Sequence, residues 1–463
     1  MSSTKYTIVV SGTLSERFVS ALTGVSAQPG DGTTRLDTEP LDQSQLHGLL
    51  ERLRNLAIEL VSVQESSSPS PVSGPKVLVV GAGIGGLATA IALRRRGIDT
   101  VVLEQAPELR EVGAGISLWP NAILTLRRLG IDEVERSGAV VSGGDIRDWR
   151  GRLVHRSSTN QLEARFGAPL MMIERGVLHN ALRDALGDVV VRVGTRCEAL
   201  EQDSTGVRVT LAGGAAERFD AVIGADGLHS VVRHATVADG PPKRSGVRAW
   251  RSVVALDPRL AEHLPVGESW GKGALFGVQS LPGNKAYWYA ATMADRTDSA
   301  ARTSDRSDLL RLFGSWHAPI PELINATEEG AVLTNDLFDR PVPTALAFGR
   351  VALVGDAAHP MLPSLGQGAC QAIEDGEAVA DALAESADPA LGLLLYNERR
   401  LSAATAAVTQ SSRMSRVSHL RNPVVVALRN AVLRRTPAET SLTRLGPIIG
   451  GRREATEPTR SRS

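Results

Sequence analysis

The sequence predicts an α/β protein built on a dinucleotide-binding, Rossmann-like domain, interrupted by a β-rich (α+β) insertion and preceded by a small separate module. Three observations predict it. The turn Gly81-Ala82-Gly83-Ile84-Gly85-Gly86 joins an apolar run over 76–80 to a helical stretch over 87–96, which is the strand–turn–helix setting that gives a GxGxxG meaning. Two more turns close apolar runs far downstream: Gly224-Ala225-Asp226-Gly227, and Gly355-Asp356-Ala357-Ala358-His359-Pro360 leading to Gly366-Gln367-Gly368. Between these last two, residues 245–295 become strand-like and hold much of the scarce aromatic content.

The elements follow in chain order. Residues 6–10 read as a strand and 15–22 as a short helix. Segments 24–28 and 33–38, split by Pro29-Gly30-Asp31-Gly32, read as a hairpin. Asp42 is placed to cap a helix with Leu46, Leu49, Leu50 and Leu53 at helical spacing, and 58–63 reads as a last strand. The order β-α-β-β-α-β over 1–64 is the ferredoxin-like unit, read as an oligomerisation or solubilising appendage ahead of a regulatory ligand-binding module. Residues 65–75 are rich in Ser and Pro and read as a linker. The nucleotide domain then spans 76–240 and returns over 340–385, the insertion takes 241–339, and C-terminal helices with a polar tail fill 386–463.

In the first βαβ unit, Gly81, Gly83, Gly85 and Gly86 let the backbone approach a pyrophosphate at a helix N-terminus. Glu104 ends the strand over 100–103, about 20 residues on, where a carboxylate accepts from a ribose hydroxyl; Gln105 adjoins it.

Composition narrows the classes. Lysine plus arginine and aspartate plus glutamate each number 51, so net charge favours neither nucleic acid nor an anionic membrane as partner. Cys197 and Cys370 are the only cysteines, which excludes a disulfide framework and a cysteine metal site and fits a cytoplasmic setting. No apolar run reaches the ~20 residues that span a bilayer. The single GxGxxG leaves a nicotinamide cofactor without a domain of its own.

The three motifs, from about 76 to about 434, resemble the single-component FAD-dependent aromatic hydroxylases, the para-hydroxybenzoate hydroxylase-like flavoprotein monooxygenases. Val112-Gly113-Ala114-Gly115-Ile116-Ser117-Leu118-Trp119-Pro120-Asn121 looks like the urate hydroxylase branch. Trp288-Tyr289-Ala290, Ala326-Thr327-Glu328-Glu329 and Ala372-Ile373-Glu374-Asp375 look like the zeaxanthin epoxidase branch. The resemblance implies an FAD/NAD(P)-binding fold roofed by a substrate sheet. It also implies NAD(P)H and O2 as co-substrates, and oxygen transfer through a C4a-hydroperoxyflavin to an aromatic, heteroaromatic or polyene small molecule.

By the same resemblance Asp356 meets the ribitol of FAD, Arg175 the phosphates, and Pro363 lines the flavin. Gly366, Gln367 and Gly368 present N–H groups to its pyrimidine edge, and Asp226 contacts both FAD and nicotinamide. Cys370 reads as packing, since no basic neighbour in sequence marks it as a thiolate. Arg248, Trp250, Arg251, Tyr287 and Tyr289 are candidate substrate contacts. Strand alternation sets Arg251 on the face opposite Arg248 and Trp250. Arg248 and Tyr287 are the expected catalytic pair. Two alternatives stay open: a flavin oxidase or dehydrogenase without oxygen insertion, and a flavoprotein whose N-terminal module serves interaction.

Overall fold

The computed structural model describes the chain except residues 1–4, 13, 15–24, 31–32, 40, 57, 67–73, 110–112, 263, 294–305, 438–445, 447 and 450–463. It divides into two compact units, Met1–Gly74 and Pro75–Ser463.

The smaller unit contains β1 (Lys5–Ser11), β2 (Val25–Gly30), β3 (Thr33–Thr38), α1 (Gln43–Asn55) and β4 (Leu60–Ser66). Its sheet runs β2-β3-β1-β4, every pair antiparallel. Asp42 starts α1 as expected: its carboxylate accepts from the Gln45 N–H while Gln45 Oε1 accepts from the Asp42 N–H, both at 2.8 Å. This reciprocal capping satisfies donors the first turn leaves without partners. Ile8, Val10, Leu36 and Leu53 form the buried centre. The last strand extends into Glu65 and Ser66, two residues expected in the linker. The helix expected over 15–22 lies outside the described residues.

The larger unit opens with β5 (Val77–Val80), α2 (Ile84–Arg95) and β6 (Thr100–Leu103), followed by β7 (Gly115–Leu118), α3 (Pro120–Arg128), β8 (Ala139–Val140), β9 (Gly143–Asp148) and β10 (Leu153–Ser158). Next come β11 (Met171–Glu174), α4 (Arg175–Asp184), β12 (Val190–Arg192), the meander β13 (Cys197–Gln202), β14 (Val207–Leu211) and β15 (Ala216–Phe219), then β16 (Ala221–Gly224) and α5 (Val231–Thr236). The central sheet has the order β12-β6-β5-β16-β23-β22 once β22 (Ala347–Phe348) and β23 (Val351–Leu353) return to it. All its pairings are parallel except the β22 edge. Strands β5, β6, β16 and β23 are buried throughout, so they read as unbroken apolar runs rather than alternating ones. Leu87 and Ile91 of α2 are buried against this sheet, each contributing ~1.5–3 kcal/mol by leaving water.

The insertion supplies β17 (Lys243–Ala255), β18 (Gly267–Trp270), β19 (Ala274–Leu281), β20 (Lys285–Met293), α6 (Arg306–Phe313), α7 (Ile320–Ala326) and β21 (Leu333–Asp339). Its sheet has seven strands, β10-β9-β18-β19-β20-β17-β21. The insertion is therefore not confined to 241–339. β9 and β10, from the segment expected to be nucleotide domain, complete it through a parallel pairing of β9 with β18. That pairing joins residues over a hundred apart in sequence, and no local pattern announces it. Side chains alternate between two faces. Trp250, Val254, Phe276, Val278, Trp288 and Ala290 pack on Leu309, Phe313, Leu323 and Ile324 of α6 and α7. Arg251, Gly277, Gln279, Tyr287 and Tyr289 take the other face, which meets the nucleotide-binding part where the Tyr287 ring lies against Gly115 and Lys285 Nζ reaches Glu174 at 2.8 Å. After the central sheet come α8 (Gly368–Ala384), α9 (Pro389–Ser418) and α10 (Pro423–Arg435).

Candidate active site

The parallel pairing β5–β16–β23 brings all three predicted turns to one end of one sheet. Gly81 follows β5, Asp226 follows β16 and Asp356 follows β23, and each turn continues the ladder to its neighbour. The Ala225 N–H donates to Val80 O at 2.8 Å, and the Val354 N–H to Gly224 O at 2.9 Å. Ligands of open parallel sheets bind beyond these carboxyl ends.

The first turn shows what it is shaped to receive. A Cβ on Gly86 would stand 1.9 Å from Gly81 O, so only glycine lets α2 start so close to β5. Gly83 faces open space, and no side chain caps the α2 N-terminus it precedes. The N-terminus of α8 after Gln367 likewise has no side-chain cap. Two helix starts with donors left over are a fitting cradle for an anionic cofactor. Glu104 also braces the turn, its carboxylate accepting from the Ala82 N–H at 2.9 Å and the Ala106 N–H at 2.8 Å. Gln105 is exposed beside it.

Asp356 is the exposed polar group of the third turn. Its side chain is solvent-accessible although Gly355, Ala357, Ala358 and His359 around it are buried. Its surroundings of protein push its pKa up, against the favourable charges of His359 and Arg175. Arg175 opens α4, close enough to stabilise the ionised forms of both Asp356 and Tyr287. Asp226 instead turns its carboxylate toward α5, accepting from Ser230 Oγ and from the Val231 and Val232 N–H groups at 2.7 and 3.2 Å. Pro363 is exposed and Gly366 sits at φ +62°. Gln367 is buried, its Oε1 accepting from Asn121 and Gln371 at 3.2 and 3.1 Å.

Behind the third turn stands a buried ionic group. Asp375 accepts from the Gly355 N–H (3.0 Å), His359 Nε2 (2.5 Å) and Arg400 Nε (2.7 Å). Burial opposes its charge, but His359 and Arg400 outweigh burial and hold its pKa well below the carboxylate range. His359 is thus a structural anchor of the turn.

Arg248 is corrected by the sheet's register. It shares the parity of buried Trp250 and is tied to Asp336 at 2.8 Å, so it stands on the face away from Tyr287. Arg251 takes the site-facing position, cross-strand from Tyr289, and donates to Asn335 Oδ1 at 2.7 Å. Sequence reasoning missed two further residues of this face. Tyr289 OH donates to Glu268 Oε1 and Trp270 Nε1 to Glu268 Oε2, each at 2.6 Å. The reach across β19 requires Gly277, because a Cβ there would lie 2.1 Å from the Tyr289 ring. Gln279 also hydrogen-bonds Tyr289. Since that hydroxyl has spent its proton on Glu268, Gln279 must offer it N–H, and its Oε1 is left buried with no protein partner. Tyr287, its pKa pushed up to about 12 by burial against the charges of Arg251 and Arg175, stays a neutral donor.

A family model described as FAD binding domain matches residues 75–411. The chain belongs to this family of FAD-dependent monooxygenases. Similar curated relatives include aurachin C monooxygenase/isomerase of Stigmatella aurantiaca, 37% identical over 78% of this chain and 94% of the relative. Another is 3-amino-4-hydroxybenzoate 2-monooxygenase of Streptomyces cremeus, 33% identical over 82% and 97%. Among solved structures, Klebsiella pneumoniae HpxO complexed with FAD and uric acid aligns with a TM-score of 0.75 at 27% identity, covering 81% of this chain and 97% of that one. Residues 5–64 match a separate domain of unknown function.

The residues present fit the family's FAD: the starts of α2 and α8 have no side-chain cap, Gly83 has open space beside it, and Gly85 and Gly355 both lie against Ala372 of α8. Neither cysteine belongs to this chemistry. Burial raises the thiol pKa to about 11 for Cys197 and about 12 for Cys370. Both should therefore resist Ellman's reagent in the native protein near pH 8 and react fully in denaturant; a fast-reacting thiol in native protein would contradict this.

Proposed function

We propose that this protein inserts one oxygen atom into a flat aromatic or heteroaromatic ring that carries an N–H or O–H donor, using NAD(P)H and O2. FAD, when bound, supplies the redox chemistry and the activation of O2. Asp356, Arg175 and the two helix starts hold and orient it. Tyr287 and Arg251 close the opposite wall, and the apolar packing behind them keeps bulk water out, which oxygen transfer requires.

The observation that supports the substrate class is Gln279 Oε1, a buried acceptor with no protein partner on the sheet face that carries Tyr287 and Tyr289. A buried acceptor left unmet costs about 1–3 kcal/mol, so a ring donor that meets it is selected over one that lacks it. Two of the proteins named above are named for, or complexed with, such rings: 3-amino-4-hydroxybenzoate and uric acid.

The test is oxygen-dependent NAD(P)H consumption by the flavin-loaded protein over 4-hydroxyquinolines, aminohydroxybenzoates, urate and salicylate, with product masses. Stimulation with one oxygen gained is expected; loss of hydrogen without oxygen gain would make it an oxidase or dehydrogenase. Replacing Gln279 by leucine should raise KM roughly tenfold with a smaller change in kcat. Glu268→Gln, which frees the Tyr289 proton, should give part of that loss. An unchanged KM in both would remove Gln279 from recognition.

A further inference from the structure

The chain's neutral total hides a segregated segment. From Leu401 to Pro437 there are six arginines and no aspartate or glutamate. This stretch forms the end of α9, a turn capped by Asn422, and α10. One side of α10 is fastened to the body. Arg429 is buried over the Trp270 ring at 4.9 Å and donates to Val417 O at 3.0 Å. Leu433 packs with Trp270 and Tyr289, and its carbonyl meets His155 Nδ1 at 3.1 Å.

The other side is apolar and open. Val424, Leu428 and Val432 recur at helical spacing with 74%, 64% and 57% of their surfaces accessible, joined by Val425 at 42%. The end of α9 adds Met414 and Val417 at 38% and 39%. Arg413, Arg416, Arg421, Arg434 and Arg435 are all exposed around this stripe. An apolar stripe set among cations with no acidic residue suits one surface above others, an anionic bilayer, where valine and leucine enter the headgroup boundary and arginines meet phosphates. A second copy of the same face would bring like charges together. No helix among the described residues is long and apolar enough to cross a membrane, so the contact is peripheral.

We propose that the hairpin of α9 and α10 docks this enzyme on anionic lipid surfaces through Val424, Leu428 and Val432 and the surrounding arginines. The inner side of α10 touches Trp270, which holds Glu268, so docking would set the substrate wall close to the lipid.

The experiment is flotation of the full-length, flavin-loaded protein with vesicles of phosphatidylcholine alone or with about a third phosphatidylglycerol. Anionic vesicles should recover at least roughly tenfold more protein, less so in high salt, as expected when several arginines each add attraction near the surface. The double substitution Leu428→Glu with Val432→Glu should abolish recovery while flavin content and solution turnover stay unchanged. Arg434→Gln with Arg435→Gln should weaken recovery and steepen nothing else. The proposal is overturned by equal recovery on both vesicles, by none on either, or by full recovery of the glutamate variant. It is also overturned if light scattering shows a wild-type dimer that the glutamate variant splits, since the face would then belong to a second copy.

Discussion

Replacing Gly86 by valine is expected to yield a folded but colourless protein. The added Cβ would lie 1.9 Å from Gly81 O and 3.3 Å from the Ala225 side chain, both in turns held by the central ladder. Neither backbone can retreat without breaking a strand end, so α2 must shift and carry its free N–H groups away from the cofactor. Overpacking of this kind costs roughly 2–3 kcal/mol, which corresponds to about a hundredfold weaker FAD binding. Flavin fluorescence titration reads this directly, with circular dichroism confirming the fold. A variant that binds FAD as tightly as the parent would show that the cofactor does not rest on this turn.

The second large effect concerns stability. Arg400→Leu strands Asp375 and His359 in the interior, with Glu374 beside them. Breaking a buried ionic group by removing one partner costs about 3–5 kcal/mol, which should appear as a lower midpoint in urea at an unchanged slope. The pH dependence has a definite sign. Asp375 titrates in the native state well below its value in the unfolded chain, so its contribution is complete above about pH 4 and is lost as pH falls toward the native pKa. Asp375→Asn should remove this acid-side component of the stability profile. An unaltered acid limb in that variant would assign the acid sensitivity to other carboxylates.

The three turns at the end of the central sheet were legible because they are built from short-range chemistry. Gly81 to Gly86, Glu104 and the Asp356 turn each sit inside a single strand–turn–helix unit, where steric permission and helix-end donors depend on neighbours a few residues away. The Asp42 capping box was legible for the same reason. Asp226 lies in the expected turn, and the structure adds the bonds of its carboxylate to Ser230 and the first N–H groups of α5.

By itself, then, the sequence determined the fold class, the three turns and the family resemblance that pointed to FAD. Alternation also showed that Arg248 and Arg251 oppose each other. Which of them faces the site was decided only by the tertiary structure, through the packing of Trp250 under α6 and α7. The same holds for Glu268, Tyr289 and Gln279, which converge only after three strands pair in register, and for β9 with β18. Side-chain meeting across a sheet depends on long-range register, and exposure of the α10 stripe depends on what fails to cover it. Neither quantity is written in local sequence.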